Sequence, residues 1–369
     1  MKKSLLLAVV ALFATVSVSA ERVTKEFTRA MTTEVNIEGD FRVVLSENYR
    51  NNVVIEYDDA LAEHIVTEIK GKQLKVYYGR GAAKVLKSTN VAPTTIYIDR
   101  NFVSYTFSEG VTAASEEPIE GSELNIRLDD AACSFANGIS TGKLTIKMTG
   151  ASLLTSEISS RDLSVSIGGS SNAEISGVAN KVKLTASGSA VLKASRLNSQ
   201  SNVAVSASGS SSVSLMAKGA VKLSSIGSAT ITAAVDCKNL TISSSGSSQV
   251  VLSGTSKTAK MSVSGTARIV SEKYIAEMSA NVSAKGAATV EVTSRGSMKI
   301  SASGTSIVKA DTEANLTVSA SDTASVTHNP NAKLVKLTLK DQAIVKAFEE
   351  KNATVNFFAS PQGFNRNHR

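Results

Sequence analysis

The segment that decides the fold is residues 182–192, Val182-Lys183-Leu184-Thr185-Ala186-Ser187-Gly188-Ser189-Ala190-Val191-Leu192. Before Gly188, Val182, Leu184 and Ala186 alternate with polar residues, and after it Ala190 and Leu192 continue the apolar or small residues at every second position. A period of two residues is typical of β-strands, in which successive side chains point to opposite faces. Glycine adopts a positive φ without steric cost, as a sharp bend requires. The segment therefore predicts two short strands that meet at a tight corner.

The same corner recurs along the chain at intervals of 18 to 21 residues. Aspartate, which tolerates a positive φ better than most residues, replaces glycine at some of the corners. A unit that repeats at such a period is typical of solenoids, in which each coil packs only against its neighbours. We therefore predict an all-β fold, a single-chain parallel β-helix (β-solenoid) of about twelve coils with about nineteen residues in each. The corners are Gly110, Asp130, Gly150, Gly169, Gly188, Gly209, Gly227, Gly246, Gly265, Gly286, Gly304, Asp322 and Asp341.

Residues at fixed distances from each corner form columns when the coils are stacked. Positions −4 and +4 are aliphatic, and burial of each such side chain contributes about 1.5 to 3 kcal/mol. Position +2 is almost always serine or alanine, which fit where two sheets meet at a tight corner. The −4 column is Ile126, Ile146, Val165, Leu184, Val205, Leu223, Ile242, Met261, Val282, Ile300, Val318 and Leu337. The +4 column includes Leu154, Leu192, Val213, Ile231, Val250, Ile269, Val290, Val308, Val326 and Val345.

Polar loops of five to eight residues connect successive coils and absorb the differences in coil length. Several loops contain one apolar residue, for example Ile158, Val178 and Leu197. If these side chains point inward, they form a third side. The loops therefore predict a roughly triangular cross-section.

The N-terminal part of the chain predicts a signal peptide followed by a cap. Residues 1–20 contain two lysines, an apolar run and the small-residue cleavage site Val18-Ser19-Ala20, as secretory signal peptides do. The apolar run is shorter than a bilayer requires and no later run is longer, so we expect no transmembrane segment. Residues 21–95 predict a β-rich capping region that covers the strand edges of the first coil. Within this region, Leu61 to Ile69 predict a short helix.

Further along, we expect the parallel β-solenoid to occupy residues 96–347 and a C-terminal cap strand and tail to occupy residues 348–369. The cap strand is predicted at Val355 to Phe358, and the basic residues after it predict a disordered tail. Both ends need covers because an open solenoid end is a free strand edge that invites polymerisation.

The two cysteines, Cys133 and Cys237, are predicted to be unpaired. They lie about five coils apart, which is over ~20 Å at ~4.8 Å for each coil. A disulfide needs Cα atoms within about 7 Å of each other. An exported chain with two cysteines therefore need not contain a disulfide.

No group of residues predicts a catalytic, cofactor or metal site. Gly138-Ile139-Ser140-Thr141-Gly142 matches the G-x-S-x-G string of hydrolases, and Ser140 with Lys143 matches S-x-x-K. Both strings fall in a predicted loop and not on a strand-turn-helix, and a serine-rich chain produces them by chance. The pairs Asp58-Asp59 and Asp129-Asp130 favour structural roles, and the histidines His64, His328 and His368 lack metal-ligand spacing. We therefore expect no enzyme activity.

The outward residues at positions −5 and −3 form what we call the ladder face. Position −3 is serine or threonine in coil after coil, and position −5 is lysine in alternate coils, which separates like charges by ~10 Å. Such a face could bind a glycan or another protein or form a homodimer, although small hydroxyls also keep an exposed sheet hydrated. The candidate binding residues are Lys183, Lys222, Lys260, Lys299, Lys336, Ser206, Ser224, Ser243, Ser262, Ser283 and Ser301.

The chain resembles the head GIN domain family of secreted proteins from Gram-negative bacteria, labelled as autotransporter-adhesin heads. The resemblance rests on Phe27, the alternating residues Val35 to Leu45, the strand Val53 to Asp58, Gly71 to Val76, and the coils that follow. It covers roughly residues 27 to 345. It implies a parallel β-helix and a surface or envelope location, and it implies no established activity. The number of coils leaves open one extended solenoid or two fused heads.

These observations favour an exported, non-enzymatic binding protein of the cell envelope that contacts a glycan or another protein through its ladder face. We expect a periplasmic, outer-surface or extracellular location, no cofactor and no nucleic-acid partner, because the face lacks the aromatic residues that stack on bases. Two alternatives remain at this stage. One is a carbohydrate-active lyase or hydrolase on a β-helix, and the other is a purely structural spacer.

Overall fold

A computed structural model describes residues 22–28, 31–88 and 91–348 of the chain. The predicted signal peptide, residues 1–20, and the predicted cap strand, Val355 to Phe358, lie outside the described residues. The fold is all-β, with 70% strand and 4% helix, and forms a β-solenoid of about thirteen turns of about nineteen residues. The prediction of a parallel β-solenoid from the corner repeat is confirmed.

Strands β1 to β7 and one short helix make up the N-terminal part. The strands are β1 (Arg22–Thr28), β2 (Glu34–Glu38), β3 (Arg42–Leu45), β4 (Asn52–Asp58), β5 (Ile65–Lys70), β6 (Gln73–Tyr78) and β7 (Thr95–Ile98), with α1 at Ala82–Ser88 and 3₁₀ turns at Glu47–Tyr49 and Asp59–Leu61.

The coils that follow contain strands β8 to β26. These are β8 (Ser104–Ser108), β9 (Thr112–Ser115), β10 (Ile119–Asp129), β11 (Ala132–Thr149), β12 (Leu153–Ile167), β13 (Asn172–Ala186), β14 (Val191–Ser199), β15 (Asn202–Ala207), β16 (Ser212–Gly227), β17 (Thr230–Gly246), β18 (Gln249–Val263), β19 (Arg268–Ala284), β20 (Thr289–Thr293), β21 (Ser297–Ala302), β22 (Ile307–Asp311), β23 (Asn315–Ala320), β24 (Ser325–His328), β25 (Lys333–Leu339) and β26 (Ile344–Ala347).

The corners stack directly on one another, as the sequence repeat requires. Every predicted corner from Gly110 to Asp341 has a positive φ, including the three aspartates. At Gly188, a Cβ atom would lie 2.9 Å from the carbonyl oxygen of Gly169, the corner of the preceding coil. Gly227 and Gly265 meet the preceding corner in the same way, at 3.1 and 2.8 Å. Glycine is therefore favoured at these positions both by the positive φ and by the close approach of the preceding coil.

The inward columns form the core of the solenoid. All the −4 residues except Leu337 are buried, and so are the +4 residues up to Val326. The serines and alanines at +2 are buried as well from Ser152 to Ala324. Parallel register pairs each member with the same position of the next coil, as at Val165, Leu184 and Val205. The predicted packing of the two columns is confirmed, with Leu337 of strand β25 as the exception.

A third inward side closes the triangle, with one exception to the prediction. Ile158 and Leu197 are buried as expected. Val178 is 41% exposed, so the expectation that it points inward is wrong. Gly177 has φ +103° and pairs with the buried Ile158, so it takes the inward place. A Cβ atom there would lie 2.1 Å from the Ile158 carbonyl oxygen, so the position favours glycine. Ala179, the residue after Val178, is buried.

The N-terminal end of the stack is covered by antiparallel strands. Strands β2 and β3 pair in parallel with β8 and β9, so they belong to the stack of coils. Strand β6 lies on the other edge of β2, and β7 lies on the other edge of β3. Strand β5 pairs with β6 and strand β4 pairs with β7, and both pairs are antiparallel. The helix predicted over Leu61 to Ile69 is wrong: Leu61 ends a 3₁₀ turn, and Ile65–Lys70 is the antiparallel partner of β6.

Both cysteines are free and buried, as predicted. Burial raises the pKa of the Cys133 thiol far above its usual range and raises that of Cys237 to about 11, with a smaller contribution from Asp236. Neither thiol is therefore ionised at neutral pH, and neither is a ready nucleophile. Among the described residues, no helix is long and apolar enough to span a membrane.

Candidate functional site

The five lysines of the ladder face lie in one column, in alternate coils. Lys183 pairs with Ala204, which pairs with Lys222, and the alternation continues through Thr241, Lys260, Asn281, Lys299, Thr317 and Lys336. Because each coil adds about 4.8 Å, neighbouring lysines in the column are about 10 Å apart. The register therefore produces a regular row of cations along the solenoid axis.

These lysines are exposed, and within the described part of the chain none of the five forms an ion pair. Lysines elsewhere do pair: Lys143 lies 2.7 Å from Glu123, and Lys309 lies 2.6 Å from Glu291. The row on the ladder face is thus an uncompensated positive charge. A bound polyanion would neutralise it with little competition from the protein's own carboxylates.

The −3 hydroxyls form an uninterrupted ladder beside the lysine row. Each member pairs with the same position of the next coil: Ser166, Thr185, Ser206, Ser224, Ser243, Ser262, Ser283, Ser301, Ser319 and Thr338. All are exposed or partly exposed. Hydroxyls that form no hydrogen bond within the sheet can donate a hydrogen bond to a ligand and accept hydrogen bonds from it, because each has one O–H and two lone pairs.

Positive charge continues at the N-terminal end of the −3 column. Lys147 pairs with Ser166, and Arg127 pairs with Lys147 one coil earlier. Both side chains are exposed. The sequence interpretation missed them, although they lie three residues before the corners Gly150 and Asp130 and could have been found by extending the column upstream.

A groove of about 520 Å³ runs along the ladder face over several coils. Its floor includes Leu163, Val182, Val203 and Val221, each nearly buried. Small residues, Ser164, Ala204 and Ala220, leave the space between the larger side chains of neighbouring coils. Lys183 and Lys222 of the predicted face lie on its border.

The other border of the groove consists of residues at position −7, and its charges largely cancel. Lys143 pairs with Glu123, and Asp162 lies 3.2 Å from Arg161 and 3.8 Å from Lys181. Exposed pairs of this kind contribute little to stability, about 0 to 1 kcal/mol. The groove thus has one border of balanced charge and one border of free lysines. The sequence interpretation missed this groove because it depends on side-chain sizes in six adjacent coils.

The hydrolase-like strings lack the setting that such chemistry needs. Ser140 is an exposed residue within strand β11, paired in parallel with Glu120 and Ser159. The Lys143 ammonium bonds to Glu123. The G-x-S-x-G string therefore lies within a strand, so the prediction that it falls in a loop is wrong, and it does not form a strand-turn-helix elbow.

Two of the aspartates that we considered, Asp58 and Asp130, have structural roles. Asp130 is a corner residue with φ +51°, and its carboxylate accepts a hydrogen bond from the Ala151 amide at 2.7 Å. Asp58 caps a 3₁₀ turn through the Ala60 amide. Among the described residues, no three histidine, cysteine or acidic side chains are grouped so as to hold a metal ion.

Comparison with known proteins gives one family and several similar structures. The family model described as "Putative auto-transporter adhesin, head GIN domain" matches residues 32–232 and 219–314. A search of curated proteins gave no match. The two matches overlap within strands β16 and β17, where the parallel register of successive coils continues.

The similar solved structures share little sequence with this chain. An adhesin-labelled protein from Parabacteroides merdae is 11% identical, with a TM-score of 0.28, over 90% of this chain and 98% of that one. A protein from Parabacteroides distasonis labelled as lipid-binding is 13% identical, with a TM-score of 0.26, over 90% and 98% of the two chains. A cell-adhesion-labelled protein from Clostridium sporogenes is 13% identical, with a TM-score of 0.26, over 53% of this chain and 99% of that one.

Proposed function

Because the chain belongs to the head GIN domain family, we propose that it is an exported binding protein of the cell envelope that holds an acidic glycan on its ladder face and performs no chemistry of its own. The family is described as an auto-transporter adhesin head, and the chemistry of the ladder face fits an acidic ligand. The signal-peptide pattern of residues 1–20 supports export.

The observation that carries the proposal is the row of exposed, unpaired lysines at two-coil spacing beside a ladder of hydroxyls. An extended polymer that lies along the solenoid axis meets a cation about every 10 Å. Beside the cations it meets hydroxyls that can bond to sugar hydroxyls and ring oxygens. The groove bordered by Lys183 and Lys222 gives such a chain an apolar floor against which sugar rings can pack.

The test is binding of a linear uronate polymer, polygalacturonate, to the full mature chain, with neutral dextran of similar length as the comparison. We expect retention of polygalacturonate that weakens at least tenfold between 0.05 and about 0.5 M salt, because exposed charges are screened within a Debye length of about 10 Å at 0.1 M. The double variant Lys260→Glu with Lys299→Glu should lose most of this binding.

The matched control changes the same number of charges on another side of the coil. Lys193 and Arg268 are exposed and lie at positions +5 and +3 after their corners, away from the ladder face. Lys193→Glu with Arg268→Glu should retain polygalacturonate binding. If both double variants weaken binding equally, net charge and not the ladder face is responsible, and the proposal fails.

Two further outcomes would replace the proposal. Release of new reducing ends from the polymer would indicate a carbohydrate-active enzyme. Concentration-dependent dimerisation that the Lys260→Glu and Lys299→Glu changes abolish, without any glycan binding, would indicate that the ladder face docks against a protein.

A further inference from the structure

Charge is distributed unevenly along the chain. Residues 22–130 contain 18 acidic and 13 basic residues, whereas residues 131–348 contain 11 acidic and 22 basic ones. The lysine row of the ladder face belongs to the basic part. A partner that binds to the acidic part through charge should therefore be positive, the opposite of the glycan proposed for the ladder face.

Two tyrosines in the acidic part form an aromatic pair on the outward surface of the sheet. Tyr97 lies in β7, between Val44 of β3 and Val54 of β4. Tyr49 lies on the 3₁₀ turn that follows β3, and its ring stacks on the Tyr97 ring with the centroids 5.0 Å apart and the planes inclined by 30°. All four residues are partly exposed. The pair thus presents aromatic surface to solvent beside two aliphatic side chains.

Two carboxylates lie beside this pair. The Tyr97 hydroxyl donates to Glu56 Oε2 at 3.3 Å. The Glu116 amide donates to the Leu45 carbonyl oxygen at 3.0 Å, which holds this exposed residue at the end of β3, and its carboxylate has no partner among the described residues. Burial raises the pKa of Tyr49, and the charges of Glu116 and Glu56 raise it further. The same negative charges favour a cation beside the two rings.

The chain itself shows how a tyrosine beside a glutamate holds a cation. On β6, the Tyr77 hydroxyl donates to Glu68 Oε1 at 2.8 Å, and the Lys75 ammonium lies 4.5 Å from the centroid of the Tyr77 ring. At Tyr97 the hydroxyl also bonds to a glutamate, which Arg22 approaches to 3.6 Å. Within the described chain, however, no lysine or arginine lies over either ring of the aromatic pair. A partner can therefore supply the cation there.

We propose that Tyr49, Tyr97 and Glu116 form a binding site for a basic segment of another protein, with an arginine side chain stacked on the exposed tyrosine surface and paired with the Glu116 carboxylate. Arginine fits better than lysine, because its planar guanidinium stacks on aromatic rings and bonds to both oxygens of a carboxylate. Val44 and Val54 can contact the methylene groups of such a side chain. This proposal does not depend on glycan binding by the ladder face.

Binding of an arginine peptide to the full mature chain tests the proposal. The probe is a labelled octapeptide of alternating arginine and glycine, and the comparison peptide has citrulline, the uncharged analogue, in place of arginine. We expect fluorescence anisotropy to show that the citrulline peptide binds at least about tenfold more weakly, because the cation takes part in both contacts. Tyr49→Leu with Glu116→Gln should weaken binding of the arginine peptide by about tenfold, and Glu116→Gln alone, an exposed change, by at least about threefold.

The matched control removes one tyrosine and one exposed glutamate elsewhere in the acidic part. Tyr77→Leu with Glu63→Gln makes the same change in composition and charge, and the Tyr77 ring already holds Lys75. This control should bind the arginine peptide as the unmodified chain does. Equal losses in the two double variants would show that overall negative charge attracts the peptide. Equal binding of the two peptides would show that no cation is recognised, and either result would overturn the proposal, as would failure of the arginine peptide to bind.

Two other occupants of the aromatic pair would give different results. If a second copy of the chain supplies lysines of its ladder face, the chain should self-associate at high concentration, and Tyr49→Leu with Glu116→Gln should abolish that association. If a neutral sugar stacks on the rings, dextran should compete with the arginine peptide. Either result would contradict the proposal.

The ladder-face variant separates this site from the proposed glycan site. Lys260→Glu with Lys299→Glu should lose polygalacturonate and still bind the arginine peptide. Tyr49→Leu with Glu116→Gln should do the reverse. If the ladder-face variant loses the arginine peptide as well, the aromatic pair is not the site and the proposal fails, whereas failure of polygalacturonate to bind the unmodified chain would leave the arginine result standing.

Discussion

At the scale of single residues, the stacked corners make glycine necessary for two separable reasons. One is the positive φ, which costs other residues about 1 to 2 kcal/mol. The other is the preceding coil, whose backbone lies where a Cβ would be. Aspartate replaces glycine only at Asp130, Asp322 and Asp341, near the two ends of the column. Glycine occupies every corner from Gly150 to Gly304.

Gly169 and Gly71 allow the effect of positive φ to be measured separately from the effect of the preceding coil. Gly169 has φ +66° and a Cβ there would lie 2.6 Å from the Gly150 carbonyl oxygen, whereas Gly71 has φ +60° and nothing within 4 Å. Gly71→Ala should lower the free energy of unfolding by about 1 to 2 kcal/mol from backbone strain alone. Gly169→Ala should lower it by a further amount of about 1 to 3 kcal/mol, the usual cost of overpacking. Urea unfolding followed by circular dichroism measures both, and equal losses would show that the coils do not meet at their corners.

Within a strand, buried and outward-facing side chains alternate. In β13, Leu184 lies between Val165 and Val205 of the neighbouring coils and is nearly fully buried, and Thr185, the next residue, points outward. One step along a strand thus moves a side chain from the core to the surface.

A lysine introduced at each of these two positions tests the register. Leu184→Lys places an unpaired charge in the core, and we expect a loss on the order of 3 to 5 kcal/mol. Thr185→Lys adds the same group on the outward side, and we expect a change below about 1 kcal/mol. Thermal unfolding of the two variants measures the difference. A loss for Leu184→Lys no larger than that for Thr185→Lys would refute the assignment of the −4 column to the core.

The sequence predicted these strands well because period-two alternation and positive-φ corners are local signals. It failed where a side chain's place depends on a neighbouring coil. Val178 turns outward because Gly177 occupies the inward position against the Ile158 backbone. Ile65–Lys70 is a strand because β6 offers it an antiparallel edge, which no local pattern shows.

The candidate site was predictable to a similar extent. The column positions of Lys183 to Lys336 followed from counting back from each corner, and the register confirms them. The groove did not follow, because its space arises from Ala204 and Ala220 in different coils. The column to which a residue belongs can be assigned from one repeat, whereas the shape of a groove depends on the side-chain volumes of several neighbouring repeats.

At the scale of the whole molecule, the stack is one-dimensional, so each coil depends on its two neighbours and on little else. Strands β16, β17 and β18 illustrate this, since β17 pairs with β16 on one edge and with β18 on the other. The corners Gly227 and Gly246 occupy the same place in successive coils. A coil removed between equivalent points should therefore leave a shorter solenoid with matching columns.

Deletion of residues 228–246 makes this prediction specific. It joins Gly227 to Ser247, removes one coil of 19 residues and places Met261 over Leu223 and Val250 over Val213, so both inward columns continue. We expect a folded chain with an unchanged strand signal per residue in circular dichroism and a midpoint of thermal unfolding only slightly lower, because one nearest-neighbour interface is lost and one is re-formed.

The control deletion, residues 228–247, is one residue longer and moves Ser248 and Val250 to odd positions after the corner. A one-residue slip turns inward side chains outward. This variant should aggregate or unfold at much lower temperature than the first. If both deletions are tolerated equally, the coils adjust their register independently of the corners, and the columns on which the ladder face depends are not fixed by the stack.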